Sequence, residues 1–427
     1  MKRSKRRLIK NFGLSLAFLL ANNFFPLKKI KANYKPRVVI IGLGFGGTSC
    51  LRILSELSEK LDLIVIERKK KIQTCPFSNH VIGGSIKYTD IIFELDNIKK
   101  MNVKFVDSSV NFVDSSKKEI KFFDGSSMYF DFLILSPGIG FKWNKIEGHL
   151  EEDLKQIPHC WDGNNNLLNF IGRLNDLENN SRIVISAPDY PYRCPPAPYE
   201  RASMIASYLK KRGKSFKILI LDSKNSFTKK DIFLREWEKI YDQSIEWISK
   251  KNGGEVKYLD QKNKYVSTED GNKFSADFIH IIPEQRAADI VVNSNLTNND
   301  WCQISPIDFE LIDHKDIYVL GDSINAGAMP KSAFSADSQA KILALNLINK
   351  ISDQEYVNPV FLNTCYSFSS LDRAFSITSW YKLNSDKDRI VSLGTSQSSE
   401  NASKKERYEE SIHALGWYKN ITDYLYG

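Results

Sequence analysis

The sequence predicts an α/β chain built from two Rossmann-like dinucleotide-binding domains and a small α+β C-terminal domain, and three observations lead there. A strand, a glycine-rich turn, a helix and a second strand ending in an acid run through residues 38–67; a second strand–helix–strand unit runs through residues 182–222; a further strand, turn and long helix fill residues 316–347. Alternation of apolar strand runs with helical stretches is the pattern of parallel sheets with helical crossovers. At 427 residues and 42% hydrophobic content, the chain has enough apolar material for more than one core.

The first unit carries chemistry as well as a fold. Its apolar run, residues 38–41, meets Gly42, Gly44 and Gly47 in the spacing G-x-G-x-x-G. Gly42 suits a tight turn, Gly44 lets a pyrophosphate approach the backbone, and Gly47 lets helix and strand pack closely. The helix that follows aims free N–H groups and a positive dipole end at the phosphates. Glu67 stands 20 residues beyond Gly47, where an acid binds a ribose 2′-hydroxyl. A carboxylate there repels a 2′-phosphate, so FAD or NAD is expected rather than NADP.

Charge narrows the class of partners. The net charge of +9 equals the nine Lys and Arg residues that precede Tyr34, with no acid among them, so the remainder is near neutral and no nucleic-acid partner is expected. Residues 1–32 read as an export leader: a basic start containing Arg6-Arg7, an apolar stretch at residues 14–25 interrupted by Asn22 and Asn23, and Ile30-Lys31-Ala32. The stretch is shorter than the roughly 20 apolar residues of a membrane span. The paired arginines suggest the twin-arginine route, which carries folded, cofactor-loaded proteins, and predict a periplasmic protein with no transmembrane segment in the mature chain. In that oxidising compartment the six cysteines can form disulfides.

Past Glu67, residues 74–84 form a polar loop holding Cys75 where the chain returns to the cofactor, in position to touch a flavin or bond to it. Short strands follow at residues 103–106, 111–113 and 119–123, then a strand at 132–135 ending in Ser136-Pro137-Gly138. In the second unit the turn between strand 182–186 and helix 199–211 contains no glycine from Ala187 to Glu200, but prolines at 188, 191, 195, 196 and 198. Proline fixes φ and removes N–H donors, so this turn cannot cradle a pyrophosphate, and Cys194 takes the place of the nicotinamide. In the last cofactor element, Gly321-Asp322 puts a carboxylate by the ribityl chain, and the helix opening near Lys331 directs its N-terminus at the flavin's pyrimidine edge, where dipole and lysine would stabilise anionic reduced flavin. Cys365 follows, and then an aromatic-rich terminal helix at residues 404–425. The chain has no Cys-x-x-Cys-His for haem. No metal-ligand spacing surrounds His80 or His159, Cys50 reads as a small buried hydrophobe, and Cys160 and Cys302 carry no assigned role.

The segments TCPFSNHVIGG, YRCPPAPYERAS, MPKSAFSADSQAK and FLNTCYS together resemble the flavoprotein subunit of flavocytochrome c sulfide dehydrogenase, within the wider sulfide:quinone oxidoreductase group, whose fold is glutathione-reductase-like. The resemblance implies an FAD enzyme that oxidises sulfide and passes electrons to a c-type cytochrome subunit, with haem only in that partner. It implies that Cys75 carries FAD through a thioether. It also implies that Cys194 and Cys365, each expected in a loop, form a redox disulfide over the flavin. Glu200, six residues past Cys194 at the start of a helix, is the candidate proton-handling group, the alternative being a helix N-terminal charge. The expected boundaries are 33–148 and 281–358 for the two halves of the FAD-binding domain, 149–280 for a degenerate NAD-like domain, and 359–427 for an interface domain. A membrane-surface sulfide:quinone oxidoreductase and a redox-inert FAD-binding interaction protein are the alternatives.

Overall fold

The computed structural model describes residues 34–163 and 166–427; the leader expected at residues 1–32 lies outside the described residues. In chain order come β1 (Arg37–Ile41), α1 (Phe45–Ser55), β2 (Asp62–Glu67), β3 (Lys104–Asp107) and β4 (Phe132–Leu135). Next are β5 (Ser181–Ala187), α2 (Ala197–Lys211), β6 (Phe216–Asp222), α3 (Lys230–Tyr241), β7 (Ile245–Ile248) and β8 (Phe278–Ile281). Then β9 (Glu310–Leu311), β10 (His314–Val319) and α4 (Ala333–Ile351) lead to β11 (Val360–Ser370), β12 (Arg373–Leu383), β13 (Ile390–Gln397) and α5 (Lys404–Tyr426).

The first sheet has the order β9-β10-β4-β1-β2-β3 and is parallel except for the β9–β10 edge pair. Val38, Val39 and Ile40 of β1 are completely buried, as continuous apolar runs must be when both faces of a parallel strand are covered. With β2 on one side and β4 on the other, β1 marks the point where strand order reverses, and its C-terminal end opens the crevice in which such sheets bind ligands. Gly42, Gly138 and Asp322 all lie just past the carboxyl ends of β1, β4 and β10. Distant sequence segments therefore reach one edge.

The second sheet, β7-β6-β5-β8, is wholly parallel and repeats the plan. The two sheets are linked by an antiparallel ribbon pairing Ile139–Lys142 with Glu284–Ala287. The third, β11-β12-β13, is an antiparallel meander. Its first strand packs on α2 and α4, and α5 lies across β12. A capping box starts α5, with Ser403 N–H on Glu406 Oε2 at 2.6 Å and Glu406 N–H on Ser403 Oγ at 3.2 Å. Completely buried Glu236 of α3 accepts Arg373 of β12 at 2.7 Å and lies 3.6 Å from the Arg407 guanidinium of α5, tying three elements together.

Two expectations need correction. Cys365 is not in a loop: it sits mid-strand in β11, paired with Ile377, because the alternation that buries Phe361, Asn363 and Ser367 continues through it. The segment around Cys75 is not wholly a loop either, since Ser78–Ile82 forms a short helix.

Candidate active site

At the first crevice, the glycines do what their spacing implies. Gly42 has φ +93°, and a side chain there would meet Ser136 O at 2.6 Å; one at Gly47 would meet Gly42 O at 1.9 Å. Turn and helix thus approach closer than any Cβ allows. Beside Gly44, by contrast, nothing lies within 4 Å of an added Cβ, which leaves open space over the start of α1. Glu67 accepts Leu43 N–H at 2.8 Å and Lys69 N–H at 2.9 Å, which fixes the carboxylate at the end of β2.

Arg193 gathers the flavin-side candidates. Its Nε donates to Asp322 Oδ2 at 2.6 Å, one terminal nitrogen lies 3.3 Å from Cys75 Sγ and 2.9 Å from Trp161 O, and its other terminal nitrogen would sit 2.8 Å from a Cβ at Gly138. Asp322 and Cys75 hold the guanidinium's pKa above its usual range against the effect of burial. Asp322 Oδ1 is buried without a hydrogen-bond partner, an acceptor facing a group that the protein itself does not supply. Open space at the glycine turn and an orphaned carboxylate oxygen beside Cys75 fit a dinucleotide running from Gly42, Gly44, Gly47 and Glu67 to Asp322. Lys331 donates Nζ to the carbonyls of Asp322 and Ile324 at 2.9 and 2.7 Å and lies over the Trp301 ring, with burial lowering its pKa to about 8. It braces the Asp322 turn. Ser332, not Lys331, caps α4, its Oγ accepting Ser335 N–H at 3.0 Å.

On the other side of Arg193 lies the sulfur centre. Cys194 adopts φ +56°, and its N–H donates to Lys331 O at 2.8 Å, which pins the Cys194 loop to the start of α4. A left-handed non-glycine residue is a strained conformation of the kind found at functional sites. The packing of β11 on α2 brings Cys365 against it. Both are free thiols here, and they interact: the Cys365 sulfur drives the Cys194 pKa up, and Cys194 draws that of Cys365 down to about 6. Glu200, in the first turn of α2, accepts Asn79 Nδ2 at 3.1 Å, and burial pushes its pKa up to about 7. Lys229, just before α3, is 4% exposed and donates Nζ to Cys365 O at 2.7 Å.

Arg193 and Lys229 are the residues that sequence reasoning missed. Arg193 adjoins Cys194 and could have been flagged by that alone, whereas Lys229 carries no local signal.

At the second crevice the strand-end acid is occupied by the protein's own side chains. Asp222, at the end of β6, accepts at Oδ2 from Tyr199 OH at 2.6 Å and Trp247 Nε1 at 2.8 Å, and at Oδ1 from Lys224 Nζ at 2.6 Å. Tyr192 and Tyr199 are buried above it. An acid at a strand end that could serve a ribose is thus fully engaged. Among the described residues no His, Cys, Asp and Glu cluster could hold a metal. His80 packs between Phe77 and Phe368, His159 against Phe141 and Trp143, and burial lowers their pKa values to about 4 and about 3. Cys50 is completely buried on α1.

Two family models match the chain: "Sulfide dehydrogenase [flavocytochrome c] flavoprotein chain, central" over residues 168–283, and "Flavocytochrome c sulphide dehydrogenase, flavin-binding" over residues 357–425. A mitochondrial sulfide:quinone oxidoreductase of Dictyostelium discoideum is 24% identical over 341 residues, covering 75% of this chain and 72% of that protein. A flavocytochrome c sulfide dehydrogenase flavoprotein chain of Chlorobaculum thiosulfatiphilum is 44% identical over 45 residues, 10% of this chain and 94% of that sequence. Among solved structures, the sulfide:quinone oxidoreductase of Aquifex aeolicus superposes with a TM-score of 0.69 at 18% identity, covering 91% of this chain and 92% of that one. The covalent putidaredoxin reductase–putidaredoxin complex contains a chain with TM-score 0.62 at 13% identity, covering 90% and 94%.

Proposed function

Because this chain belongs to the sulfide-oxidising flavoproteins that comprise flavocytochrome c sulfide dehydrogenase flavoprotein chains and sulfide:quinone oxidoreductases, we propose that it is the FAD subunit of an exported sulfide dehydrogenase. It oxidises sulfide through a Cys194–Cys365 disulfide and hands the electrons to a c-type cytochrome subunit in the periplasm. The observation that carries this reading is the meeting of two cysteine sulfurs from distant segments beside the loop that binds Asp322.

In the resting enzyme the two sulfurs are joined. Hydrosulfide attacks one of them; a new S–S bond forms as a persulfide, the old one breaks, and its electron pair leaves on the other sulfur as a thiolate. Bound FAD supplies a two-electron acceptor for that thiolate. Gly42, Gly44, Gly47 and Glu67 hold the dinucleotide, Gly138 and Asp322 position its flavin end, and Cys75, 3.3 Å from an Arg193 nitrogen, tethers it. Glu200 takes the proton of the incoming sulfide: a group that titrates near 7 is matched to that transfer. The engagement of Asp222 by Tyr199, Lys224 and Trp247 supports a reductant other than a nicotinamide nucleotide.

A quinone acceptor is the second reading, favoured by the length of the match to the Dictyostelium enzyme and by the exposed Tyr408, Ile412 and Leu415 along α5. No helix among the described residues is long and apolar enough to cross a membrane. Purification from the native periplasm separates the two: haem bands travelling with the flavin support the cytochrome partner. Replacing Cys194 or Cys365 by Ser tests the reaction itself. FAD should stay bound while anaerobic bleaching of the flavin by sulfide slows by orders of magnitude; parental bleaching in Cys194→Ser would refute the disulfide route.

A further inference from the structure

We propose that Lys229 is a positioning residue that supplies the counter-charge for the thiolate released at the Cys194–Cys365 pair. This rests on the reading of those cysteines as the redox couple. A lysine is a costly thing to bury, and this one is 4% exposed, with the carboxylates of Glu200 and Glu410 acting on it through space. Its ammonium is held by the Cys365 carbonyl at 2.7 Å and lies 5.6 Å from the centre of the Phe375 ring. The backbone beneath it is left-handed, φ +64°, which an L-residue adopts only when its surroundings impose it.

The groups that face this site are Cys194 from the loop before α2, Glu200 on α2, Cys365 on β11, Tyr381 on β12 and Glu410 on α5. Before attack, the joined sulfurs carry no charge. When hydrosulfide adds to one sulfur, the electron pair of the broken bond brings a negative charge into the pocket on the other; Lys229 is the cation whose charge reaches both Cys194 and Cys365, while Arg201 of α2 acts on Cys194 and Glu200. A fixed charge placed where charge develops stabilises that step without reorganisation. The hydrogen bond to the Cys365 carbonyl sets the position of the ammonium relative to the strand that carries the sulfur.

The test is a pH titration of thiolate in the FAD-bound protein after reduction by a phosphine, read as the rate of iodoacetamide modification at Cys194 and Cys365 by mass spectrometry. Lys229→Gln keeps a donor for the Cys365 carbonyl and removes the charge; Lys229→Met removes both; Lys229→Arg keeps the charge. From a Cys365 midpoint near 6, the Gln and Met variants should raise the titration midpoint by about one to two pH units, a loss of roughly two- to tenfold in thiolate at pH 7, while Arg stays near the parent. The same shift should persist in a Glu200→Gln background, which separates it from the neighbouring carboxylate. A Gln midpoint equal to the parental one would overturn the proposal, as would an Arg variant shifted as far as Gln. Alkylation needs no sulfide, so the result stands apart from the identity of the electron donor.

Discussion

Glu200→Gln tests both the electrostatics and the chemistry of the sulfur centre. Burial raises the Glu200 pKa from 4.5 to about 7, the Cys365 sulfur adds to the rise, and Asn79 and Lys229 oppose it. A difference of that size corresponds to about 3 kcal/mol between the protonation states. Below pH 4.5 the carboxyl is protonated in both the folded and unfolded chain, and its contribution to stability is fully present. As pH rises toward 7 the unfolded chain gives up its proton first, so stability is lost across that window and the loss is complete above 7. The Gln variant has no such proton to lose. It should match the parent at pH 4.5 and exceed it by about 3 kcal/mol at pH 8 in urea unfolding of the FAD-bound protein. Its chemistry should move the other way: sulfide-driven flavin reduction in the parent should climb to a plateau above pH 7, and the variant should lose that limb with roughly 10²- to 10⁴-fold of the rate. An equal stability gain at both pH values, or an unchanged pH profile in stopped-flow reduction, would refute the reasoning.

Gly47→Ala puts a methyl 1.9 Å from Gly42 O, so α1 must move off β1; soluble yield and FAD content should both fall, whereas Gly44→Ala, with nothing within 4 Å, should express well and lose FAD alone. Cys75→Ser should bind FAD yet release all its yellow colour into the supernatant on acid denaturation, while the parent keeps colour in the pellet; colour retained by the serine variant would show that the tether lies elsewhere.

The β1–α1–β2 unit was legible because its requirements are local. A turn at φ +93°, an approach closer than a Cβ permits and a carboxylate at a strand end each need a particular residue type within thirty positions, and Gly42, Gly47 and Glu67 meet them. The glycine-free turn before α2 was equally readable, since proline's loss of a donor does not depend on context. Cys194, Cys365 and Glu200 could be named from the segments that hold them, yet nothing local said that Cys365 belongs to a strand: a period of two in FLNTCYS is weak, and packing of β11 on α2 and α4 decided it. Arg193 and Lys229 lay further out of reach. Lys229 is 136 residues from the carbonyl it binds, and Arg193 is 118 from Cys75 and 129 from Asp322. Backbone geometry is set by a residue and its immediate neighbours, so sequence alone determined the dinucleotide fold and the glycine-free turn of its second strand–helix–strand unit. The charge a buried sulfur experiences is set through space by whichever side chains the fold delivers within a few ångströms, and only the tertiary structure decided which lysine and which arginine those would be.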